Sequence, residues 1–239
     1  MQQVTRSSLV AAVSGGNKGI GFAACKGLAQ QGFRVVLGAR DAGAGQQAEQ
    51  QLKAEGLDVA HCPLDVTDQA SVKSFASWLE ERYGRCDVLV NNAGIMTEYP
   101  GKSFLDIDIE TIDKVMRTNT YGPLLLSQAI VPLMKQQRSG RIINVSSTLG
   151  QLSTMNGKNV SYRLSKVALN GLTRIMAAEL QEFNIQVHSM CPGWVATDLG
   201  TARAPKTPEQ GAETVLWLAT TNEDLGNGGF FKNKQRIPW

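Results

Sequence analysis

SLVAAVSGGNKGIG, Ser8 to Gly21, runs from an apolar β-branched stretch through a glycine-rich turn into a segment of helical period. Gly15, Gly19 and Gly21 carry no Cβ, so the chain can turn tightly there and lie close against a bound group. A helix that opens at this point presents first amides with no intrahelical partners, and such a helix start suits an anion such as a pyrophosphate. An ordinary strand-to-helix turn would use glycine in the same way. The position of this one, at the first such junction of the chain, favours the ligand-binding reading.

The alternation continues outward from that stretch. Short apolar runs SLVAAVS, FRVVLGA, LDVAHCP, CDVLVNN, GRIINVSS, IQVHSMCP and GGFFK alternate with helical patterns near residues 18–31, 42–55, 69–84, 108–137, 161–182 and 208–220. Repeated strand–helix units of this kind predict a parallel sheet covered by helices on both faces. The expected fold is a doubly wound, Rossmann-type α/β domain of seven parallel strands spanning residues 1–239. In such sheets ligands bind beyond the C-terminal ends of the strands, so the residues that follow each strand are the site candidates.

Composition narrows the function classes. The 239 residues are 42% hydrophobic with a net charge of +3 and no blocks of Lys or Arg, which suits a small phosphorylated ligand better than nucleic acid or a membrane. Cys25, Cys62, Cys86 and Cys191 stand singly, without zinc-site pairing or disulfide density, and are expected to be reduced core thiols. MQQVTRSS contains no apolar core of a leader, and YGPLLLSQAIVPLM is interrupted by Pro and polar residues before reaching membrane-spanning length. A soluble cytoplasmic protein is expected. No grouping of residues points to a metal.

Tyr162 and Lys166 in VSYRLSKVAL share a helical face at a spacing of four. A cation beside a phenol favours the phenolate, and an acid that can protonate a carbonyl oxygen is what ketone reduction requires. His61 and His188 lie in apparent strands and read as packing residues, and G-x-S-x-G is missing, so a Ser-His-Asp hydrolase is disfavoured.

Taken together, Gly15, Gly19 and Gly21, the run Asn91-Asn92-Ala93-Gly94 after the fourth strand, Asn119, Ser147, Tyr162 with Lys166, and Pro192-Gly193 after the sixth strand resemble the short-chain dehydrogenase/reductase family. The match follows the family's order over nearly the whole chain, with Ser14 where the family usually has Thr. The resemblance implies a nicotinamide dinucleotide cofactor. It implies binding along Gly15, Asn17, Lys18, Gly19, Ile20 and Gly21, with Asp65 and Val66 near the adenine and Asn92, Ala93 and Gly94 near its ribose. Pro192, Gly193, Val195 and Thr197 would run along the nicotinamide, and Tyr162 and Lys166 would touch it as well. Asp65 also reads as a turn residue, and Asn91 as a tie between strand ends.

The end of the second strand selects between NAD and NADP, through a carboxylate for the ribose hydroxyls or a cation for the 2′-phosphate. In VVLGARD the acid position of NAD-using relatives is Ala39, with Arg40 next and Lys18 in the glycine turn. Two cations around a small residue predict NADPH. Asp41 is a competing ribose partner.

By resemblance Tyr162 gives the proton, Ser147 steadies the carbonyl oxygen, Lys166 binds the nicotinamide ribose, and Asn119 holds a water leading from Lys166 to solvent. Ser146 is the rival of Ser147. Met96, Leu149, Met155 and Trp194 are candidates either for the substrate wall or for the core, and the pocket is expected from loops near 95–105, 149–160 and 194–206.

ARDAGAGQQAEQQLKAEGLDV and CPGWVATDLG resemble most the family's carbonyl reductases, which reduce ketones, aldehydes and quinones. The monomeric carbonyl reductases carry a long insertion before the catalytic Tyr, whereas Ser147 and Tyr162 are only fifteen residues apart. A homodimer or homotetramer built on the exposed long helices is therefore expected. Reduction of a 3-oxoacyl thioester, oxidation of a secondary alcohol, or a non-catalytic dinucleotide-binding regulator are the alternatives.

Overall fold

The computed structural model describes residues 9–98 and 101–239, which leaves MQQVTRSS and two positions of the 95–105 loop outside it. Among the described residues eight strands form one sheet: β1 (Val10–Ser14), β2 (Arg34–Ala39), β3 (Val59–Pro63), β4 (Val88–Asn91), β5 (Gly140–Val145), β6 (Ile185–Cys191), β7 (Phe230–Lys232) and β8 (Gln235–Ile237). Their order is β3-β2-β1-β4-β5-β6-β7-β8. The sheet is parallel through β7, and β1 lies between β2 and β4, with Val13 opposite both Leu37 and Val90. The chain direction of the crossovers changes between β1 and β4, and there the strand ends diverge to leave a crevice for a ligand.

Seven α-helices among the described residues cover the two faces: α1 (Gly19–Gln30), α2 (Ala42–Ala54), α3 (Gln69–Tyr83), α4 (Ile109–Met116), α5 (Gly122–Gln137), α6 (Val160–Leu180) and α7 (Pro208–Thr220). The strands read as unbroken apolar runs because both faces are buried. Along β1, Ala11 and Val13 join Leu28, Leu52, Val215 and Leu218 on one side, while Val10 and Ala12 join Phe75, Leu79, Leu126 and Ile130 on the other. Local signals close the helices. Thr207 and Gln210 form a capping box at the start of α7, and α3 ends on Gly84 at φ 64°.

Two features depart from the sequence expectation. The pattern near 108–137 forms one continuous helical segment, but a π-helical turn over Arg117–Tyr121 separates α4 from α5, and there Gly122 N–H donates to Arg117 O, five residues back. The doubly wound class holds, but the sheet has eight strands rather than seven, and β8 is antiparallel. That strand escaped notice because QRI is short and polar. It forms through a two-residue turn at Asn233 (φ 50°) and Lys234 (φ 63°), the paired positive dihedrals of a tight hairpin, without the Asn-Gly or Asp-Gly that marks one in sequence. No helix among the described residues is long and apolar enough to cross a membrane.

Candidate active site

The ends of β1 and β4 are sewn together first. Ser14 Oγ accepts from the backbone amides of Asn92 (3.0 Å) and Ala93 (3.1 Å), and Asn92 Nδ2 returns bonds to the carbonyls of Ser14 and Gly15 at 3.0 Å each. The hydroxyl at position 14 thus serves the joint. Asn91 ties strands: its Nδ2 reaches Ser127 Oγ and Asn144 Oδ1, and Asn144 Nδ2 continues to Thr173 Oγ1, which meets Ser189.

Against this joint the glycine turn is folded too tightly for side chains. A Cβ on Gly21 would stand 2.1 Å from Gly15 O, and one on Gly15 would stand 3.1 Å from Ala93 Cα. Gly15 and Gly19 also have φ of 64° and 55°, where a Cβ is strained. Helix α1 then begins at Gly19 with no side-chain cap from Lys18 and no acidic residue in its first turn. The free amides and the positive end of the dipole are left for an anion, so the chain fits the pyrophosphate of a dinucleotide. Asn17 and Ile20 are half-buried around this start, and Ile20 packs with Val195 over Gly211 of α7.

The segment after β6 closes over the turn. A Cβ on Gly19 would lie 3.0 Å from Thr197 Cγ2. Val195 is buried and bridged to Lys206, while Gly193 has φ 84° and Pro192 O accepts from Lys206 Nζ at 3.3 Å. Lys206 Nζ also donates to Asn233 Oδ1 at 2.7 Å, fastening Pro192 to the β7–β8 hairpin. Nothing in the sequence marked this lysine.

The cations expected at a 2′-phosphate are both exposed. Lys18 is paired with Asp198, across the mouth of the cleft. Arg40 acts on Asp65: partial burial raises that carboxyl, but hydrogen bonds from Thr67 and the Arg40 charge prevail and hold it below its ordinary range. Asp65 Oδ1 accepts from Thr67 N (2.9 Å) and Oγ1 (2.7 Å), so the turn role is real, and Val66 is buried against Gly122. Asp41 caps α2 by accepting from Ala44 N.

The structure brings Asn119, Ser147, Tyr162 and Lys166 together beyond β4 and β5. Lys166 is 4% exposed and its Nζ donates to Val145 O at 2.8 Å, 5.5 Å from the centre of the Tyr162 ring. Burial lowers its pKa to about 8, with Cys191 acting weakly the other way. Tyr162 is likewise buried, and burial, helped by Cys191, raises its phenol well above the ordinary value against a lowering hydrogen bond from Ser147. Lys166 does not ease this ionisation as its spacing predicts: its ammonium is engaged by Val145 O, and the loss of water around the phenol makes the phenolate harder to form.

Ser147 is half-buried and caps a short 3-10 turn by accepting from Leu149 N, whereas Ser146 is 1% exposed and faces the interior. Asn119 lies in the π-helical turn, fully buried. Its Oδ1 accepts from Ile95 N at 2.8 Å, and its Nδ2 donates to Ile95 O (2.9 Å) and Ser165 Oγ (3.0 Å). Ser165 Oγ in turn donates to Tyr162 O at 2.7 Å. The Asn119 amide is therefore occupied with protein partners. A Cβ on Gly94 would lie 3.4 Å from Asn119 Oδ1 and 3.8 Å from Lys166 Nζ, so the glycine leaves the approach to both open.

Around this group, Met155 and Trp194 are exposed and Met96 and Leu149 half-buried, so none of the four belongs to the core. Arg163 organises the wall, donating to Lys158 O, Leu149 O and Asn156 Oδ1. Its place directly after Tyr162 was its one sequence signal. His188 is buried in β6, accepting from Gly229 N and held neutral, its pKa lowered to about 4 by burial and by Arg236 and Arg141.

A crevice at the reversal of strand order, a glycine cradle for pyrophosphate, and a buried Tyr-Lys pair with a serine define a dinucleotide-dependent oxidoreductase of the doubly wound class. The chain belongs to the short-chain dehydrogenase/reductase family: residues 9–208 match the short chain dehydrogenase family. Curated relatives include carbonyl reductase [NADPH] 1 of Sus scrofa, 34% identical over 282 aligned positions covering 99% of this chain and 96% of the relative. The (+)-neomenthol dehydrogenase of Arabidopsis thaliana is 33% identical, covering 94% and 96%. Both alignments are longer than the 239 residues of this chain, so these relatives carry segments it lacks. Among solved structures, an actinorhodin polyketide ketoreductase with NADPH superposes with a TM-score of 0.87 at 27% identity, covering 97% of each chain. A gluconate 5-dehydrogenase from Burkholderia cenocepacia with NADP and tartrate gives 0.86 at 25%, covering 94% of this chain and 92% of the other.

Proposed function

We propose that this protein is an NADPH-dependent reductase of ketones, aldehydes or quinones, working as a homodimer or homotetramer in the cytoplasm. The observation that carries the reading is the convergence of Ser147, Tyr162 and Lys166 beside Gly94 and the glycine turn. The carbonyl reductase relatives and the ketoreductase likeness support it.

NADPH supplies the hydride. The protein's part is to place the carbonyl and handle the proton. Ser147 and Tyr162 direct two hydroxyl donors at one carbonyl oxygen, where negative charge grows as reduction proceeds, and donors fixed in advance favour that transition state. Tyr162 then releases its proton to the oxygen. The high pKa that burial gives the phenol keeps it protonated beforehand, and the hydrogen bond from Ser147 favours the phenolate left behind. The Asn119 side-chain amide, bound to Ile95 and Ser165, holds the backbone beside Lys166 in place. Lys18 and Arg40 hold the 2′-phosphate, for which Lys18 exchanges its exposed Asp198 partner, since such surface pairs are worth only about 0–1 kcal/mol.

The decisive experiment measures NADPH oxidation against ketones, quinones and 3-oxoacyl thioesters, with the wild type and Tyr162→Phe. Turnover of simple ketones or quinones, lost by roughly a hundred-fold or more in the variant, is expected. Turnover of the thioesters alone would transfer the assignment to that substrate class. Equal Michaelis constants for NADPH and NADH, unchanged in Arg40→Ala, would overturn the cofactor choice.

A further inference from the structure

Helix α6, which carries Tyr162 and Lys166, starts without a local cap: Asn159 before it is left-handed at φ 52° and makes no side-chain cap bond. The acceptor arrives from far up the chain. Glu98 Oε1 accepts from Ser161 Oγ at 2.6 Å and from the backbone amide of Tyr162 at 3.0 Å. Glu98 is 3% exposed, and its Oε2 is buried with no partner among the described residues. A buried carboxylate is costly unless its bonds are well made, and a helix N-terminus is the environment that best repays one.

The same segment is held at its other end. Ile95 is clasped through both its backbone groups by Asn119, so residues 95–98 are fastened at one end to the π-helical turn and at the other to the first turn of α6. Each fastening point is a residue assigned to the chemistry or its immediate neighbour. Ser165 closes the ring by joining Asn119 to the carbonyl of Tyr162.

We infer that Glu98 is a positioning residue, whose carboxylate fixes the backbone of Tyr162 and couples the placement of its phenol to the segment that walls the substrate. The inference rests on the reading of Tyr162 as the proton donor. A plain structural cap would change stability alone; a positioning residue changes turnover in molecules that are folded and bind cofactor.

The test compares Glu98→Gln, Glu98→Asp and Glu98→Ala with the wild type, measuring kcat per NADPH-binding site and the NADPH dissociation constant by fluorescence. Gln keeps an acceptor at the same reach without the charge, while Asp keeps the charge and withdraws the acceptor by one methylene. The expected order of kcat is wild type, Gln, Asp, Ala, with a loss of about ten- to a hundred-fold in Ala, the size that a misplacement of about 1 Å produces, and cofactor affinity nearly constant. A kcat within about two-fold of wild type in Asp, and in Ala where it folds, overturns the inference, as does an Asp variant more active than Gln or a loss of NADPH affinity in proportion to kcat. Tyr162→Phe run alongside separates the failures: activity retained there defeats the proton-donor reading itself.

Discussion

Lys166 is where chemistry and stability pull apart most sharply. Its ordinary pKa of 10.5 falls to about 8 in the folded protein because the ammonium is buried with one carbonyl as its partner. Between pH 8 and 10.5 the unfolded chain therefore holds more protons than the native one, and this group makes stability rise with pH across that window. Below pH 8 both states are protonated and the whole cost is present, on the order of 3 kcal/mol before the bond to Val145 is credited. Lys166→Met is expected to lose activity while melting higher than the wild type at pH 7, with the gap narrowing above pH 8; a lower melting temperature at pH 7 would show the ammonium to be net stabilising. Asp198 offers a milder case. Asp198→Asn frees Lys18 from its partner, and a two- to three-fold tighter NADPH dissociation constant, with that for NADH unchanged, is the expected result of about 0.5 kcal/mol.

On the function proposed above, the glycine turn is the element on which cofactor binding depends. Gly21→Ala should abolish NADPH binding in a protein that still folds, because the new methyl would meet Gly15 O and Asn92 Nδ2 and push the cradle open; calorimetric titration beside circular dichroism checks it, and unaltered affinity would contradict the geometry. This turn was legible in the sequence because its chemistry is local, written in the glycines themselves. So were β1 to β7 and most helices, whose apolar periods need no partner to be seen. Glu98, Lys206 and β8 with the turn that leads into it were not legible. Glu98 matters through Tyr162, 64 residues on, and Lys206 through Asn233, 27 residues on, and no periodicity encodes contacts at such separations. The pKa of Tyr162 was misjudged for the same reason: proximity to Lys166 shows in a spacing of four, burial does not.

For the molecule as a unit, the surface of α6 is the feature to follow. Leu164 and Ile175 are 48% and 57% exposed on one helical face, and between them a Cβ on Gly171 would meet nothing within 4 Å. Ile109 and Tyr121 add apolar area from the neighbouring helical segment. A stripe of large side chains around a glycine suits close packing against a second copy. Light scattering should give at least twice 25.8 kDa, and Ile175→Lys should shift the mass toward the single chain; a wild-type mass of 25.8 kDa would refute the assembly. The π-helical turn at Arg117–Tyr121 has a different kind of consequence, one for how the length of this chain can vary. It holds a surplus residue in a helix, so dropping Thr118 would restore regular winding and favour the local backbone. Because the wide turn absorbs that residue, α5 would stay nearly in register with α4, but Asn119, next to the lost position, would be carried out of its place and would release its clasp on Ile95. A deletion scan should find this helix intolerant of losing the one residue its own geometry would shed most readily.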